Sequence, residues 1–502
     1  MRKSFTLLLM LLLAIPGMAQ KINDAYRLNI KRASSPIIID GVMDEQAWAD
    51  ADVAKDFYMI LPIDTSYAEV KTEVMMTYDD DKIYLLVINH HGEEGPYYVE
   101  SLRRDFTFGK NDNFLLFMDT FDDQTNGFSF GANAAGAQWD GIMYGGGSVD
   151  LSWDNKWFSK VQNYPDKWVF EAAIPFKSIR YKKGIKEWGI NFSRKDLKST
   201  EKSSWAPVPR QFPSASLAYT GILVWDEAPP EPGMNVSVIP YVMGGMVKDN
   251  VRDLPSDYQN RVGVDAKIAV SSSLNLDLTV NPDFSQVEVD RQITNLDRFE
   301  LFYPERRQFF LENGDLFASF GYETIRPFFS RRIGLNAPIQ FGARLSGKIN
   351  KDWRIGAMNM QTGKVSETNT PSQNYTVLAG QRRVGQRSNI GVIFVNRTNI
   401  GSIPTGGEGV ENPITSYNRN AGLEYNLASS NGKWTGKAFY VKSFSPIASN
   451  ESAVHAANIK YLGGNLIWEW KHEYVAPNYL AEVGYVPRNG YYRINPNASY
   501  LF

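Results

Sequence analysis

From Gly233 onward, polar turns cut the chain into segments of about ten residues in which polarity alternates. Leu274, Leu276, Leu278 and Val280 fall on one side of such a segment, and Asn275, Asp277 and Thr279 on the other. Leu423, Tyr425 and Leu427 stand against Glu424 and Asn426 in the same way. Similar segments lie at 236–246, 262–270, 340–349, 353–361, 375–383, 389–397, 434–442, 458–469 and 480–486. Successive side chains of a strand point to opposite faces, so a period of two means strands with one apolar and one polar face. A membrane-spanning β-barrel requires this pattern: apolar side chains to lipid, polar ones inward, and about 9–11 residues per crossing. Trp353, Tyr375, Tyr417, Trp434, Tyr474 and Tyr485 cluster near segment ends, as interfacial girdles would. A soluble β-sandwich or propeller is the alternative. The number of such segments and the lack of helical periods favour the barrel.

The leader points the same way. Arg2 and Lys3 precede an apolar run from Phe5 to Ile15, and Gly17-Met18-Ala19 supplies small residues for cleavage. Residues 1–19 are therefore predicted to be a secretory signal peptide; the apolar run falls well short of the ~20 residues of a spanning helix. The chain ends on an aromatic, Phe502, as barrels handed to outer-membrane assembly machinery do. With Lys plus Arg at 53, Asp plus Glu at 55 and a net charge of −2, no basic surface for nucleic acid is expected. There is no cysteine, which excludes disulfides, thiol nucleophiles, zinc–thiolate sites and a lipid-anchored N-terminal cysteine.

Residues 20–226 read as a separate domain. One helical turn is predicted at Asp44-Glu45-Gln46-Ala47-Trp48, and strands at 70–78, 82–89, 113–120, 127–132, 168–175 and 187–193. Their spacing suggests an antiparallel β-sandwich. The run Glu227-Ala228-Pro229-Pro230-Glu231-Pro232-Gly233 is a stiff, extended linker, placing the boundary at 227–233 and the barrel at 234–502. The expected fold is thus all-β: an N-terminal antiparallel β-sandwich followed by a transmembrane antiparallel β-barrel whose closure the sequence leaves open.

One stretch breaks the alternation. It opens with Asn281-Pro282-Asp283-Phe284-Ser285-Gln286-Val287-Glu288-Val289-Asp290 and continues with Phe299-Glu300-Leu301-Phe302-Tyr303-Pro304-Glu305-Arg306-Arg307-Gln308-Phe309-Phe310-Leu311-Glu312. It resembles a signature at the start of the barrel in outer-membrane proteins of uncharacterised function. These place a family-9-like carbohydrate-binding domain in front of the barrel. The N-terminal domain resembles such binding domains at residues 38–48, 111–119, 130–140 and 168–176. The resemblance implies a β-sandwich that holds sugar between aromatic rings. It also implies an outer-membrane location, with the sandwich on the periplasmic side. Residues 283–317 carry Arg291, Arg298, Arg306, Arg307, Glu300, Glu305 and Glu312. Such charge is affordable only away from lipid, so the segment is expected in the lumen, either gating the barrel or bracing its wall.

Candidate sugar platforms are Trp139, Trp153 and Trp157, with Asp140 beside the first, because these rings fall in Gly/Asp/Ser-rich stretches. An aromatic plane stacks on the C–H face of a pyranose while polar neighbours bond its hydroxyls. Trp48, Trp168 and Trp188 sit in regular patterns and read as core. Gly127-Phe128-Ser129-Phe130-Gly131 matches a nucleophile elbow in letters only, since the serine alternates as in a strand and no helix follows. His90-His91 has no third ligand at a recognised spacing, so no metal site and no cofactor are expected. The reading is a non-enzymatic outer-membrane protein that binds oligo- or polysaccharide through its N-terminal domain and takes part in glycan uptake or handling. The alternatives are an O-glycosyl hydrolase of carbohydrate catabolism, which needs two placed carboxylates, and a structural or assembly barrel with a non-binding sandwich.

Overall fold

The computed structural model describes residues 21–501, apart from 93–94, 231–235, 249–254, 272, 283, 285–289, 291, 297, 367, 369, 402–414 and 448–449. The leader, part of the linker, Phe502 and most of the 281–290 motif lie outside the described residues.

The N-terminal domain is built on fourteen strands: β1 (Arg27–Arg32), β2 (Val53–Ala54), β3 (Tyr58–Leu61), β4 (Thr72–Tyr78), β5 (Lys82–His90), β6 (Asn113–Asp119), β7 (Gly127–Asn133), β8 (Gln138–Tyr144), β9 (Ser148–Asp150), β10 (Phe158–Asn163), β11 (Lys167–Pro175), β12 (Glu187–Lys195), β13 (Lys202–Ser204) and β14 (Gly221–Trp225). One layer runs β10-β11-β5-β4 and the other β14-β12-β6-β7-β8-β9. β1 joins them, lying parallel to both β14 and β4, while the neighbours within each layer are antiparallel. Val74, Leu85, Phe114, Phe130, Phe170 and Trp188 fill the space between the layers. The outer faces are covered too. Ile37, Ile39, Met43 and Trp48, the last on helix α1 (Gln46–Ala49), lie over Met75, Tyr84 and Leu86. Phe106 and Leu217 lie over Leu115 and Phe117.

Two of the family-like runs meet at one buried carboxylate. Glu171 on β11 accepts the backbone N–H of Asp40 (3.0 Å) and Gly41 (2.9 Å) and the indole N–H of Trp48 (3.2 Å). Gly41 turns there at φ +85°, and a Cβ would meet Gln162 at 2.9 Å. Asn111 and Asp112 likewise bind loop backbone: Asn111 Oδ1 accepts Glu100 N (2.9 Å), and Asp112 accepts Tyr98 N and Leu197 N (2.6 Å each).

The second region is a wall of twelve strands: β15 (Val236–Val247), β16 (Asp257–Ser271), β17 (Leu274–Val280), β18 (Ile339–Lys348), β19 (Trp353–Thr362), β20 (Ser372–Val384), β21 (Ser388–Ile400), β22 (Tyr417–Ala428), β23 (Trp434–Phe444), β24 (Ala453–Leu462), β25 (Leu466–Val475) and β26 (Tyr491–Tyr500). Each pairs antiparallel with its chain neighbour. Among the described residues β15 and β26 form the two ends and do not pair with each other. Connections at one end are short (272–273, 349–352, 385–387, 429–433, 463–465), and those at the other are longer (248–256, 281–338, 363–371, 401–416, 445–452, 476–490). No helix of the described residues is long and apolar enough to cross a membrane.

The alternation is realised. Asn275, Asp277 and Thr279 are buried on one face of β17, while Leu274, Leu276 and Leu278 are only half-buried and Val280 is exposed on the other. On β22, Asn418, Asn420 and Glu424 are buried and Leu423 is 55% exposed. Three expectations need correction. Residues 458–469 are not one segment but the end of β24, the 463–465 turn and the start of β25. Residues 480–486 are not a wall strand. They belong to the 476–490 connection, where Tyr479 and Val483 are buried and Tyr485 bridges to Arg326; the twelfth strand is Tyr491–Tyr500. Nor is the inner face polar throughout. Met358, Met360, Val377, Ile393, Val395, Val441 and Val454 face inward, because Phe310, Phe317, Phe320, Ile325 and Phe328 cover them.

Those covering residues come from the 299–338 segment, which carries α2 (Gln308–Leu311) and α3 (Asp315–Ala318). It lies against the inward face. Glu312 pairs with Lys267 on β16 and accepts from Asn275 on β17. Asp315 holds Arg354 on β19 at 2.8 and 3.0 Å. Gly321 N donates to Glu424 on β22 (3.1 Å), and Tyr322 to Asn458 on β24 (3.2 Å). Within the segment Arg307 grips Glu305 and Arg332 grips Glu300, and Arg331 reaches back to grip Asp290.

Candidate functional site

The three tryptophans singled out in the sequence are interior, each 5% exposed. Trp139 lies on β8 opposite Gly131, among Phe106, Leu115 and Met143. Trp153 packs 5.3 Å from Phe128, and Trp157 packs 5.4 Å from Phe130. Asp140 is fully buried, ion-paired with Arg104, and accepts Asn155 N (3.1 Å). The expectation that these residues form a sugar platform is therefore corrected: none of the three rings offers a face to solvent. The polar residues that suggested exposure serve the loop itself. Asp150 accepts Ser152 N (3.0 Å) and Asn155 donates to Ser178 O (2.8 Å), which turns the loop back and sends its rings inward. Ser129 donates to Leu116 O (2.9 Å) within β7, as a strand serine and not an elbow nucleophile.

An open groove of about 480 Å³ lies at one end of the sandwich. Pro96, Tyr97, Ala135, Asn163, Tyr164 and Pro165 line it, from the loop after β5 and the β7–β8 and β10–β11 turns. Tyr97 stacks on His91 at 4.7 Å and meets Trp168 edge-on at 6.3 Å. Asn163 donates to Ala134 O (3.1 Å), and Tyr164 to Gly41 O (3.3 Å). The groove thus combines fixed aromatic rings with amide and hydroxyl groups. Only its loop composition (Gly92, Gly95, Pro96, Tyr97, Tyr98) could have flagged it in the sequence.

The opposite end of the sandwich meets the short turns of the wall. Asp123, in the β6–β7 turn, forms a buried ion pair with Lys348 at the end of β18. Lys348 holds the Asp123 carboxyl below the usual range against its burial. Asp119 beside it is pushed up to about 7 by burial and by the charges of Asp123 and Asp122. Arg387, in the β20–β21 turn, donates to Gln124 O (3.4 Å) and Gly146 O (3.5 Å) of the sandwich and to Ser429 O (3.2 Å) of the wall. Tyr219 donates to Asn431 O (2.8 Å), and Leu462 packs on the Phe212–Tyr219 cluster. Between these contacts lies a cavity of about 450 Å³. Every strand from β18 to β24 contributes to its lining, which requires the wall to curve around it.

Residues 232–353, which span β15 to the start of β19, match a family described as "Domain of unknown function (DUF5916)". No curated protein matches the chain. Among solved structures, a family-9 carbohydrate-binding module from Caldicellulosiruptor kristjanssonii in complex with cellotriose is similar at 14% identity, covering 40% of this chain and 94% of that one, with a TM-score of 0.30. A putative carbohydrate-binding protein from Bacteroides uniformis is similar at 13% identity, over 40% and 99% of the two chains, with a TM-score of 0.33. Pseudomonas aeruginosa OccK7 is similar at 8% identity, over 89% and 94%, with a TM-score of 0.22. At these identities and scores the similarities decide nothing about a ligand.

Proposed function

We propose that the chain is an exported, non-enzymatic outer-membrane protein that binds carbohydrate through its sandwich and handles glycans at the membrane. The observation that carries the membrane part is the outward face of the wall. Val262, Leu378, Val392, Leu423, Tyr440 and Ile494 are each between 46% and 68% exposed on that face. In water a contiguous apolar surface of this extent would drive association; in lipid it is the ordinary face of a barrel. Rings mark one margin of the belt, where Trp434 lies 4.9 Å from Tyr461 and 5.6 Å from Trp468 at the short-turn end. Towards the long connections the outward residues turn polar. Asn359 bonds Asn374 and Thr376, and Arg419 bonds Asn396. Bacterial barrels carry short turns on the periplasmic side and longer loops outside, so the sandwich, docked on the short turns, stands in the periplasm.

For carbohydrate the sequence motifs supply the class, and the end groove supplies a surface of suitable size and chemistry in place of the buried tryptophans. The hydrolase reading is less well supported. A glycosidase needs a carboxylate free to give or take a proton, whereas Asp123, Asp315, Asp352 and Glu424 around the large cavity are each ion-paired. Calorimetric titration of the full chain with cello-oligosaccharides tests the proposal. Binding that Tyr164→Ala and Asn163→Ala weaken together supports it. Absence of binding across a broad panel of neutral and acidic glycans contradicts it.

A further inference from the structure

The charges on the outward face of the wall are of one sign. Direct partners across the ladder share a face, and so do residues two apart along a strand. The face of Leu423 can therefore be traced from strand to strand. Among the wall-strand carboxylates whose side chains are described, Asp265, Asp277, Glu424, Glu469 and Glu473 all fall on the inward face. The outward face carries Arg382, Arg419, Lys442, His455 and His472. Arg382 stands alone towards the short turns, over the Trp353 ring at 5.7 Å. The other four stand together towards the long connections. Arg419 pairs in register with Phe444, and Lys442 is two residues from Phe444. Lys442 pairs with Ala453, two residues from His455, and His455 pairs with Tyr474, two residues from His472. Each of the four is thus the diagonal neighbour of the next, at about 7–8 Å between backbones.

This row lies on rings that continue into the apolar belt. The Arg419 guanidinium sits 4.6 Å from the Tyr417 ring centroid, and the Lys442 ammonium 5.9 Å from that of Phe444. His455 stacks on Tyr474 at 5.1 Å, and His472 lies 5.0 Å from Trp470. Among the described residues no carboxylate pairs with Arg419 or Lys442. Arg419 Nε donates to Asn396 (3.0 Å), which leaves the N–H groups of its two terminal nitrogens. His455 Nδ1 meets His472 Nε2 at 3.3 Å, and whichever ring donates there, the accepting ring keeps an N–H of its own. Long basic side chains at a membrane margin lay their stems on apolar surface and turn their charge to the headgroups. Negative headgroups attract such charges. A soluble anion would use the cations alone, whereas an anionic lipid also covers Leu423, Tyr440 and Ile494 beside them, which are 50–55% exposed.

We propose that the row Arg419, Lys442, His455 and His472 is a docking surface for the phosphate groups of an anionic lipid, in the leaflet on the side of the long connections. The inference rests on the membrane reading above and deepens it; it does not depend on carbohydrate binding by the sandwich.

The test uses native mass spectrometry of the full chain in neutral detergent. Phosphatidic acid is the anionic probe, and phosphatidylcholine with the same acyl chains is the zwitterionic one. Phosphatidic acid is expected to bind roughly tenfold more tightly. Arg419→Gln combined with Lys442→Gln should remove most of that preference. Arg419→Lys, which keeps the charge, should retain it, and Arg382→Gln, at the opposite margin, should leave it within about twofold. Glycerol phosphate, which has the headgroup without the chains, should bind far more weakly than the lipid. Equal binding of the two lipids overturns the proposal. So does a preference unchanged in the double variant, a preference lost equally with Arg382→Gln, or glycerol phosphate binding as tightly as the lipid. Insertion into phosphatidylcholine vesicles separates this failure from that of the membrane reading. A chain that inserts there but shows no lipid preference keeps the membrane reading and loses the row; a chain that does not insert loses both.

Discussion

Strands β6 and β22 share a backbone geometry and differ in what surrounds them. All seven residues of β6 are buried, because one face meets the opposite layer and the other meets Phe106 and Leu217. On β22, buried asparagines and Glu424 alternate with outward residues, of which Leu423 is exposed. The sandwich excludes water from both faces of its central strands. The wall excludes it from one face and presents an apolar surface on the other. On the proposed reading the two regions stand in two different solvents, water around the sandwich and lipid against the outward face of the wall.

The comparison breaks first at the sandwich core. Phe130 is fully buried against Trp153 and Trp157, and Phe130→Ala should cost about 3–5 kcal/mol. Near-UV circular dichroism should show the sandwich melting earlier while the strand signal of the wall persists. A concerted loss of both would mean that the two regions are one folding unit. Next is the joint. Asp123→Ala leaves Lys348 buried without its partner, at a cost of about 3–5 kcal/mol shared between stability and docking. Proteolysis near residues 227–230 should accelerate; an unchanged rate would mean the sandwich is not held by this pair. Third is the outward face. Leu423→Arg should cost about 2–4 kcal/mol in a bilayer, whereas Asn396→Arg, beyond the apolar belt, should cost about 0–1 kcal/mol. Equal costs in folding titrations would remove the belt.

The smallest expected effect is a pH slope. Burial pushes Glu171 and Asp105 up to about 7. Raised folded-state values mean that the folded chain holds these protons longer than the unfolded one. Their contribution is therefore complete below the ordinary carboxylate range and is lost as pH rises through about 7. Asp123, held low, acts only below that window. Sandwich stability should fall between pH 5 and pH 8, and Glu171→Gln should make the fall shallower. A stability that rises across this range would contradict the assignment.

Much of this was legible in the sequence, for reasons particular residues make plain. Leu274 to Val280 and Leu423 to Leu427 alternate because each strand meets two environments, and a period of two survives any tertiary detail. Asp40-Gly41 and Trp48 were recognisable as a motif, and the structure gives the reason, a shared carboxylate on Glu171. The tryptophans were not legible. Whether Trp153 and Trp157 face water depends on Phe128 and Phe130, and on hydrogen bonds that turn a polar loop inward; no local pattern encodes either. Ile393 and Val395 carried the same ambiguity. Their strand is apolar on both faces because a segment some sixty to eighty residues earlier supplies Phe317, Phe320 and Phe328 as cover. The groove and the junction cavity arise from turns distant in sequence and leave almost no local signal.

The central claim is that the outward face of the wall lies in lipid and the opposite face does not. The chain contains no cysteine, so single cysteines can be placed cleanly. Nitroxide labels at Leu423→Cys and Asn426→Cys, on opposite faces of β22 in a reconstituted bilayer, should respond oppositely to two relaxing agents. The label at 423 should be relaxed by dissolved oxygen and shielded from a water-soluble nickel chelate, and the label at 426 should show the reverse. Equal access of the nickel chelate to both positions would contradict the account.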